Sequence, residues 1–230
     1  MKSNEFIHEA EKYTQESEKI VRTLIDNGYT QLGSGADATV WTKDVGHVIK
    51  IIMPENLNIT RAAHTFKKFY EFCITHSNLD CLPRFIPING EVYTEFRIGN
   101  RKYMQISMEQ LYPLEKGSFD HGVVYNLGVY ATQFSWDRVT QLLSDSDEWE
   151  NYLYEFKLSG IPAEQYSNKF KSLSSAKKNK LKVLYNVMTM LYSTGTINKF
   201  RLDIHTENVM RRRDGTLVII DPWFNGQTSS

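Results

Sequence analysis

The sequence has little cysteine, no excess of either charge and no long apolar run. Of 230 residues only Cys73 and Cys81 are cysteine, and their spacing matches neither a metal-ligand set nor a redox pair. Reduced structural thiols in a cytoplasmic protein are the expectation. Lys and Arg number 27, as do Asp and Glu, so the net charge is zero. Wholesale electrostatic attachment to nucleic acid or to a membrane surface therefore has no basis. No apolar stretch approaches the length of a membrane span, and residues 1–5 lack the apolar segment of a secretion signal. Internal repeats and low-complexity linkers are also missing. What is abundant is core material: 41% of residues are hydrophobic and 13% aromatic, enough for one large domain or a two-lobed one.

The most informative stretch is 200–224. Residues 209–213 can extend, Asp214-Gly215 is a two-residue hairpin turn signal, and Leu217-Val218-Ile219-Ile220 reads as the buried return strand. A hairpin brings its ends together. Asp203 and Asn208, before the first strand, and Asp221, after the second, are therefore expected to converge. Hard cations such as Mg²⁺ take carboxylate and carbonyl oxygens and complete their shell with phosphate and water. The remaining carboxylate can accept a proton from an attacking hydroxyl, the division of labour in kinase-type phosphoryl transfer. Asp203-x-x-x-x-Asn208 matches the second half of a kinase catalytic loop, and Asp221 falls where a metal-binding aspartate belongs. Asp and Asn are also common turn residues, so a hairpin with solvated polar ends is the plainer alternative.

Towards the amino terminus, residues 4–26 carry apolar side chains at helical spacing, and Asn27-Gly28 supplies a stop. Three short antiparallel strands are predicted at 29–32, 38–42 and 47–52. Between the first two lies Gly33-Ser34-Gly35-Ala36-Asp37, where glycines let backbone amides approach a bound group. Lys50 stands in an otherwise apolar strand, and a buried lysine needs a partner, of which a nucleotide phosphate is one. Its alternative is the exposed face of an edge strand, although Val48 shares its face. Residues 58–76 read as a helix with the apolar stripe Phe66, Phe69, Tyr70 and Cys73. Glu71 on that helix is either an ion-pair partner for Lys50 or simply solvated. Residues 91–98 and 102–108 read as a hairpin around Gly99-Asn100.

Along the chain, then, stand Gly33-x-Gly35, Val40, Val48-Ile49-Lys50, Glu71, a hairpin ending at Met108-Glu109-Gln110-Leu111, Asp203-x-x-x-x-Asn208 and Asp221. This series resembles the protein-kinase-like superfamily over nearly the whole chain after residue 28. Leu32-Gly33-Ser34-Gly35-Ala36, Leu202-Asp203-Ile204-His205 and Ile219-Ile220-Asp221-Pro222 most resemble the serine/threonine protein kinases that podovirus-type bacteriophages make early in infection. Asp203-x-His205-x-x-Asn208 is similar to the aminoglycoside phosphotransferase and small-molecule kinase branch.

The resemblance implies an α+β, two-lobed fold. Residues 1–110 would form an N-lobe of an N-terminal helix, a five-stranded antiparallel sheet and one helix, and 111–230 a mainly helical, C-terminally truncated C-lobe. It implies ATP and Mg²⁺. Gly33, Ser34, Gly35 and Ala36, on to Ala38, would cover the phosphates. Lys50 would hold the α/β-phosphates, oriented by Glu71. Val40, Val48 and Met210 would sandwich the adenine, and backbone groups from Glu109 to Leu111 would bond its edge. Asp203 would be the base, Asn208 and Asp221 the metal ligands. His205 would lie near the γ-phosphate, although a lone loop histidine is more often structural. The partners implied are ATP and host-cell proteins, in the host cytoplasm, with no nucleic acid and no membrane.

The sequence also departs from the family pattern. Ala38 replaces the third loop glycine, Leu202 the arginine before the catalytic aspartate, and Pro222-Trp223 the residues after the metal aspartate. Only nine residues follow Asp221, so no usual activation segment is expected. Residues 112–199 are longer than the family usually places there, with helices predicted at 125–134, 136–143, 149–158 and 182–191; basic runs at 177–180 and, beyond this stretch, at 211–213 are expected to be solvated. Two alternatives remain. One is a small-molecule phosphotransferase, favoured by His205 and the missing segment. The other is a pseudokinase that binds and inhibits host proteins, which the full set of filled catalytic positions argues against.

Overall fold

The computed structural model describes residues 14–34, 38–52, 59–98, 101–155 and 162–224. The chain divides into two units, residues 1–63 with 84–110, and residues 64–83 with 111–230.

The first unit is built on a five-stranded antiparallel sheet in the order β1-β2-β3-β5-β4, with β1 Thr30–Ser34, β2 Ala38–Thr42, β3 His47–Ile52, β4 Tyr93–Ile98 and β5 Arg101–Glu109. Helix α1 (Thr14–Asp26) precedes it and ends at Gly28, whose φ of +80° lets Tyr29 N–H reach Leu24 O and Gly28 N–H reach Ile25 O, both at 2.9 Å. That pair of hydrogen bonds is the Schellman closure that glycine favours. Alternation along β2, β3 and β5 puts Trp41, Ile49, Ile51 and Tyr103 on one face, where Ile20 and Leu24 of α1 bury them. On the other face Val40 lies opposite Lys50, Lys50 opposite Ile106, and Val48 opposite Met108. Val48, Ile106 and Met108 are buried, while Val40 and Lys50 are half-buried. Both faces of the central strands are thus apolar, which is why β3 reads as a nearly continuous hydrophobic run interrupted by one lysine.

The second unit is mainly helical. It holds most of α2 (Ile59–Thr75), then β6 (Tyr112–Pro113), α3 (Phe119–Tyr130), α4 (Trp136–Leu142), α5 (Ser146–Glu155), α6 (Ala163–Ser172), α7 (Ser175–Ile197), β7 (Arg201–Leu202), β8 (Val209–Arg211), β9 (Leu217–Ile219) and β10 (Trp223–Phe224). Serine caps start three of the helices: Ser118, Ser135 and Ser174 accept from the backbone of His121, Arg138 and Lys177. The longest helix, α7, buries Leu181, Leu184, Tyr185, Val187, Met188 and Leu191. No helix among the described residues is long and apolar enough to cross a membrane.

Several boundaries differ from those read in the sequence. Residues 64–83 cluster with the second unit, not with the sheet. The reason is contact chemistry: Phe69 and Phe72 of α2 pack on Trp223, and Arg212 donates to the carbonyls of Asp80 and Leu82. The lysine-rich run at 177–180 is helical, because Ser174 caps it and Leu181 starts the buried stripe. Helix α6 was not anticipated. The β8–β9 loop has three residues, 213–215, not two: Arg212 N–H meets Thr216 O at 2.9 Å, and Gly215 takes φ +82°. This is the loop class that needs a left-handed glycine at its last position.

Candidate active site

Two short ladders assemble the polar ends of the hairpin. In β7–β10, Leu202 lies opposite Trp223, and the next amide, Asp203 N–H, donates to Pro222 O at 2.7 Å. Proline cannot donate but still accepts, so the ladder continues through it. In β8–β9, Val209 lies opposite Ile219, and Ile220 N–H donates to Asn208 O at 2.9 Å. Asn208 therefore bonds Ile220, the residue between β9 and Asp221, while Asp203 flanks Pro222 just after Asp221.

The side chains tighten this arrangement. Asn208 Nδ2 donates to the Asp203 carbonyl at 2.6 Å and to Asp203 Oδ2 at 3.2 Å, and lies 3.1 Å from His205 Nε2. With the amide hydrogens directed at Asp203, Oδ1 is the group's remaining donor atom for a cation. His205 Nδ1 accepts from Glu207 N–H at 3.2 Å, and its Nε2 lies 3.7 Å from Asp203 Oδ2. The side chains of Asp203 and His205 are 41% and 45% exposed, and Asp221 is exposed, so solutes can reach all three. The Asn208 amide oxygen and the Asp221 carboxylate are each hard donors of the kind that divalent cations take.

Close approaches from remote helices hold the loop. A Cβ added to Gly128 of α3 would lie 2.7 Å from Ile204 O, next to Asp203. A Cβ on Gly195 of α7 would lie 2.8 Å from Trp223 Nε1, which donates to Leu191 O at 2.9 Å. Sequence reasoning missed Gly128, Gly195 and Trp223. The available signal was a glycine inside a helical run, which costs helix stability and so marks tight packing.

The other expected residues fall as follows. Lys50 sits mid-strand in β3, half-buried, with Val40 and Ile106 as cross-strand neighbours. Gly33 and Ser34 are exposed on β1, where the register shifts between Gln31 and Gly33. A Cβ on Gly33 would meet nothing within 4 Å among the described residues, so packing against those does not require glycine there. Gly35 and Ala36 lie outside the described residues. Glu71 is 61% exposed and accepts from Lys68 Nζ at 2.7 Å. Glu109 N–H donates to Arg84 O and Gln110 N–H to Gly46 O, each at 2.9 Å, so two amides of the 109–111 segment are engaged inside the first unit. Glu109 Oε1 also accepts from Arg84 N–H. Leu111 and Met210 are half-buried in the second unit, Met210 opposite Val218 and Pro113.

No family model and no curated protein matches this chain. Among solved structures it is similar to an amicoumacin kinase in complex with AMP-PNP and Ca²⁺, at 11% identity and a TM-score of 0.41, covering 93% of this chain and 65% of that one. It is also similar to an aminoglycoside phosphotransferase from Alicyclobacillus acidocaldarius, at 15% identity and a TM-score of 0.35, covering 84% and 62%. A third similarity is to a microcompartment-associated aminopropanol kinase, at 11% identity and a TM-score of 0.42, covering 88% and 68%. The chain thus spans less than two thirds of the first two of these structures.

Proposed function

We propose that the protein is an ATP-dependent phosphotransferase that uses a divalent cation, Mg²⁺ in the cell, and a hydroxyl acceptor. One observation carries this reading: the Asn208 amide bonds Asp203 through its nitrogen, which leaves its oxygen for a cation, and its backbone carbonyl accepts from Ile220, the residue before Asp221. Asp203, fixed at its backbone by Pro222 and at its side chain by Asn208, is the group that accepts the proton from the attacking hydroxyl. Asn208 and Asp221 hold the cation. When bound, the cation neutralises charge on the phosphate oxygens. On the sequence resemblance we assign the phosphates to Lys50 and to Gly33 and Ser34, with Gly35 and Ala36, and the adenine to Val40, Val48, Met210 and the backbone from Glu109 to Leu111. Glu71, bonded to Lys68 in this structure, is assigned the orientation of Lys50 on the sequence resemblance alone.

The acceptor we favour is a serine or threonine of a host protein, encountered in the host cytoplasm, because the motif text is closest to the phage kinases. A small-molecule hydroxyl is the second reading, and His205 favours it: its Nε2 stands within the Asp203–Asn208 network, where it can contact an acceptor or the γ-phosphoryl group. The test is incubation with γ-labelled ATP and Mg²⁺, first with a bacterial lysate and then with a panel of aminoglycosides. Label on proteins supports the first reading and label on aminoglycosides the second. ATP binding without transfer to either would support a binding protein of the pseudokinase type.

A further inference from the structure

Trp223 has no chemical part in the proposed transfer, yet its side chain is only 4% exposed and three segments converge on it. From α2, Phe69 and Phe72 meet the indole edge-on, with centroids at 6.1 and 6.3 Å and interplanar angles of 81° and 79°. From α7, Leu191 O accepts the indole N–H, and Gly195 supplies the gap the ring needs. Phe200, just before β7, lies 5.6 Å away. Its backbone is held as well, by the ladder to Leu202 and, one residue earlier, by the bond from Asp203 to Pro222. Asp221 is exposed and stands two residues from this anchor, with a proline of restricted φ between them.

We propose that Trp223 is a positioning residue: locked between α2 and α7, it sets the Asp221 carboxylate beside Asn208 and fixes α2, with Glu71, to the same unit. Its effect on catalysis rests on the phosphotransferase reading, whereas the mechanical coupling stands on the packing. The geometry gives two independent ways to disturb it. Trp223→Phe keeps a ring among Phe69, Phe72 and Phe200 but loses the bond to Leu191. Gly195→Ala leaves the indole intact and pushes on its N–H from 2.8 Å. The smaller phenyl ring leaves empty the space into which the methyl group added by Gly195→Ala would project, so the two changes together should cost less than their sum.

The experiment uses the full chain. Mn²⁺ binding in the presence of AMP-PNP is followed by electron paramagnetic resonance, and amide exchange is measured in parallel. Each single variant is expected to weaken Mn²⁺ binding by roughly tenfold, the usual effect of removing a residue that orients a metal ligand. Exchange should rise at the Asp203 amide and along residues 64–75, with α4 to α6 unchanged, and the double variant should recover part of both losses. A purely structural role would lower the melting temperature and leave Mn²⁺ affinity and exchange at Asp203 unmoved, which overturns the proposal. If wild type binds Mn²⁺ and nucleotide but transfers no phosphoryl group, the phosphotransferase reading fails while these same data still decide the role of Trp223. If wild type binds neither, exchange decides alone, and unchanged exchange in both single variants overturns the coupling.

Discussion

Asp221 and Lys50 make the most separable demands on single side chains. Asp221 supplies a full carboxylate from a backbone that Pro222 restrains. Asp221→Ala should abolish Mg²⁺-dependent strengthening of nucleotide binding, measured by calorimetry with and without the cation. Unchanged affinity would make Asp221 only the end of a strand. Lys50 lies half-buried beside Val40 and Ile106, where an unbranched apolar chain fits as well as its own stem. Lys50→Met should therefore keep the melting temperature within a few degrees and lower kcat/KM by on the order of 10²-fold, the scale of one lost electrostatic contact to the transition state. Full activity in that variant would remove Lys50 from the phosphate site.

At the scale of elements, the approach of α3 to the loop after β7 carries the prediction. Gly128→Ala would drive a methyl against Ile204 O, a backbone atom that cannot rotate away. Overpacking of this kind costs roughly 1–3 kcal/mol, to be read from urea denaturation, and the displaced loop should lower transfer beyond the loss of stability. The same elements show what could be read in advance. Strands β2 and β3 and helix α2 declare themselves through period and β-branched content, and the sequence bounds are within one residue of those observed. The approach of Asn208 to the residue before Asp221 was legible because a hairpin joins its own ends, whereas the contact of Asn208 with Asp203 is local to the loop. Strands β6, β7 and β10 have two residues each and exist only through partners far along the chain, so no local pattern marks them. Helix α3 starts at Phe119, six residues earlier than expected, because Ser118 caps a turn that includes the buried polar His121. Gly128, Gly195 and Trp223 matter through clearances between distant segments, and only coordinates supply those.

For the whole molecule, stability should depend on pH through His121. Its ring is 7% exposed, with Nδ1 2.7 Å from the Tyr152 hydroxyl, and burial, aided by nearby Lys116, lowers its pKa below the usual value. The unfolded chain then binds a proton that the folded chain does not, once pH falls below about 6.5. The His121 contribution to stability should be constant above that value and decline as pH drops through it, and His121→Gln should show a shallower decline between pH 7 and 5.5 in urea midpoints. An identical slope would assign the decline to other groups.

The measurement nearest the central claim compares wild type with Asp203→Asn in transfer of the γ-phosphoryl group from labelled ATP. It is made in a single turnover at saturating Mg²⁺, with nucleotide binding verified for both. The asparagine keeps an oxygen to accept from Asn208 and loses the proton acceptor. The predicted result is transfer by wild type, a loss of about 10²-fold or more in the variant, and similar ATP affinity in the two. Transfer by the variant at the wild-type rate would contradict the account.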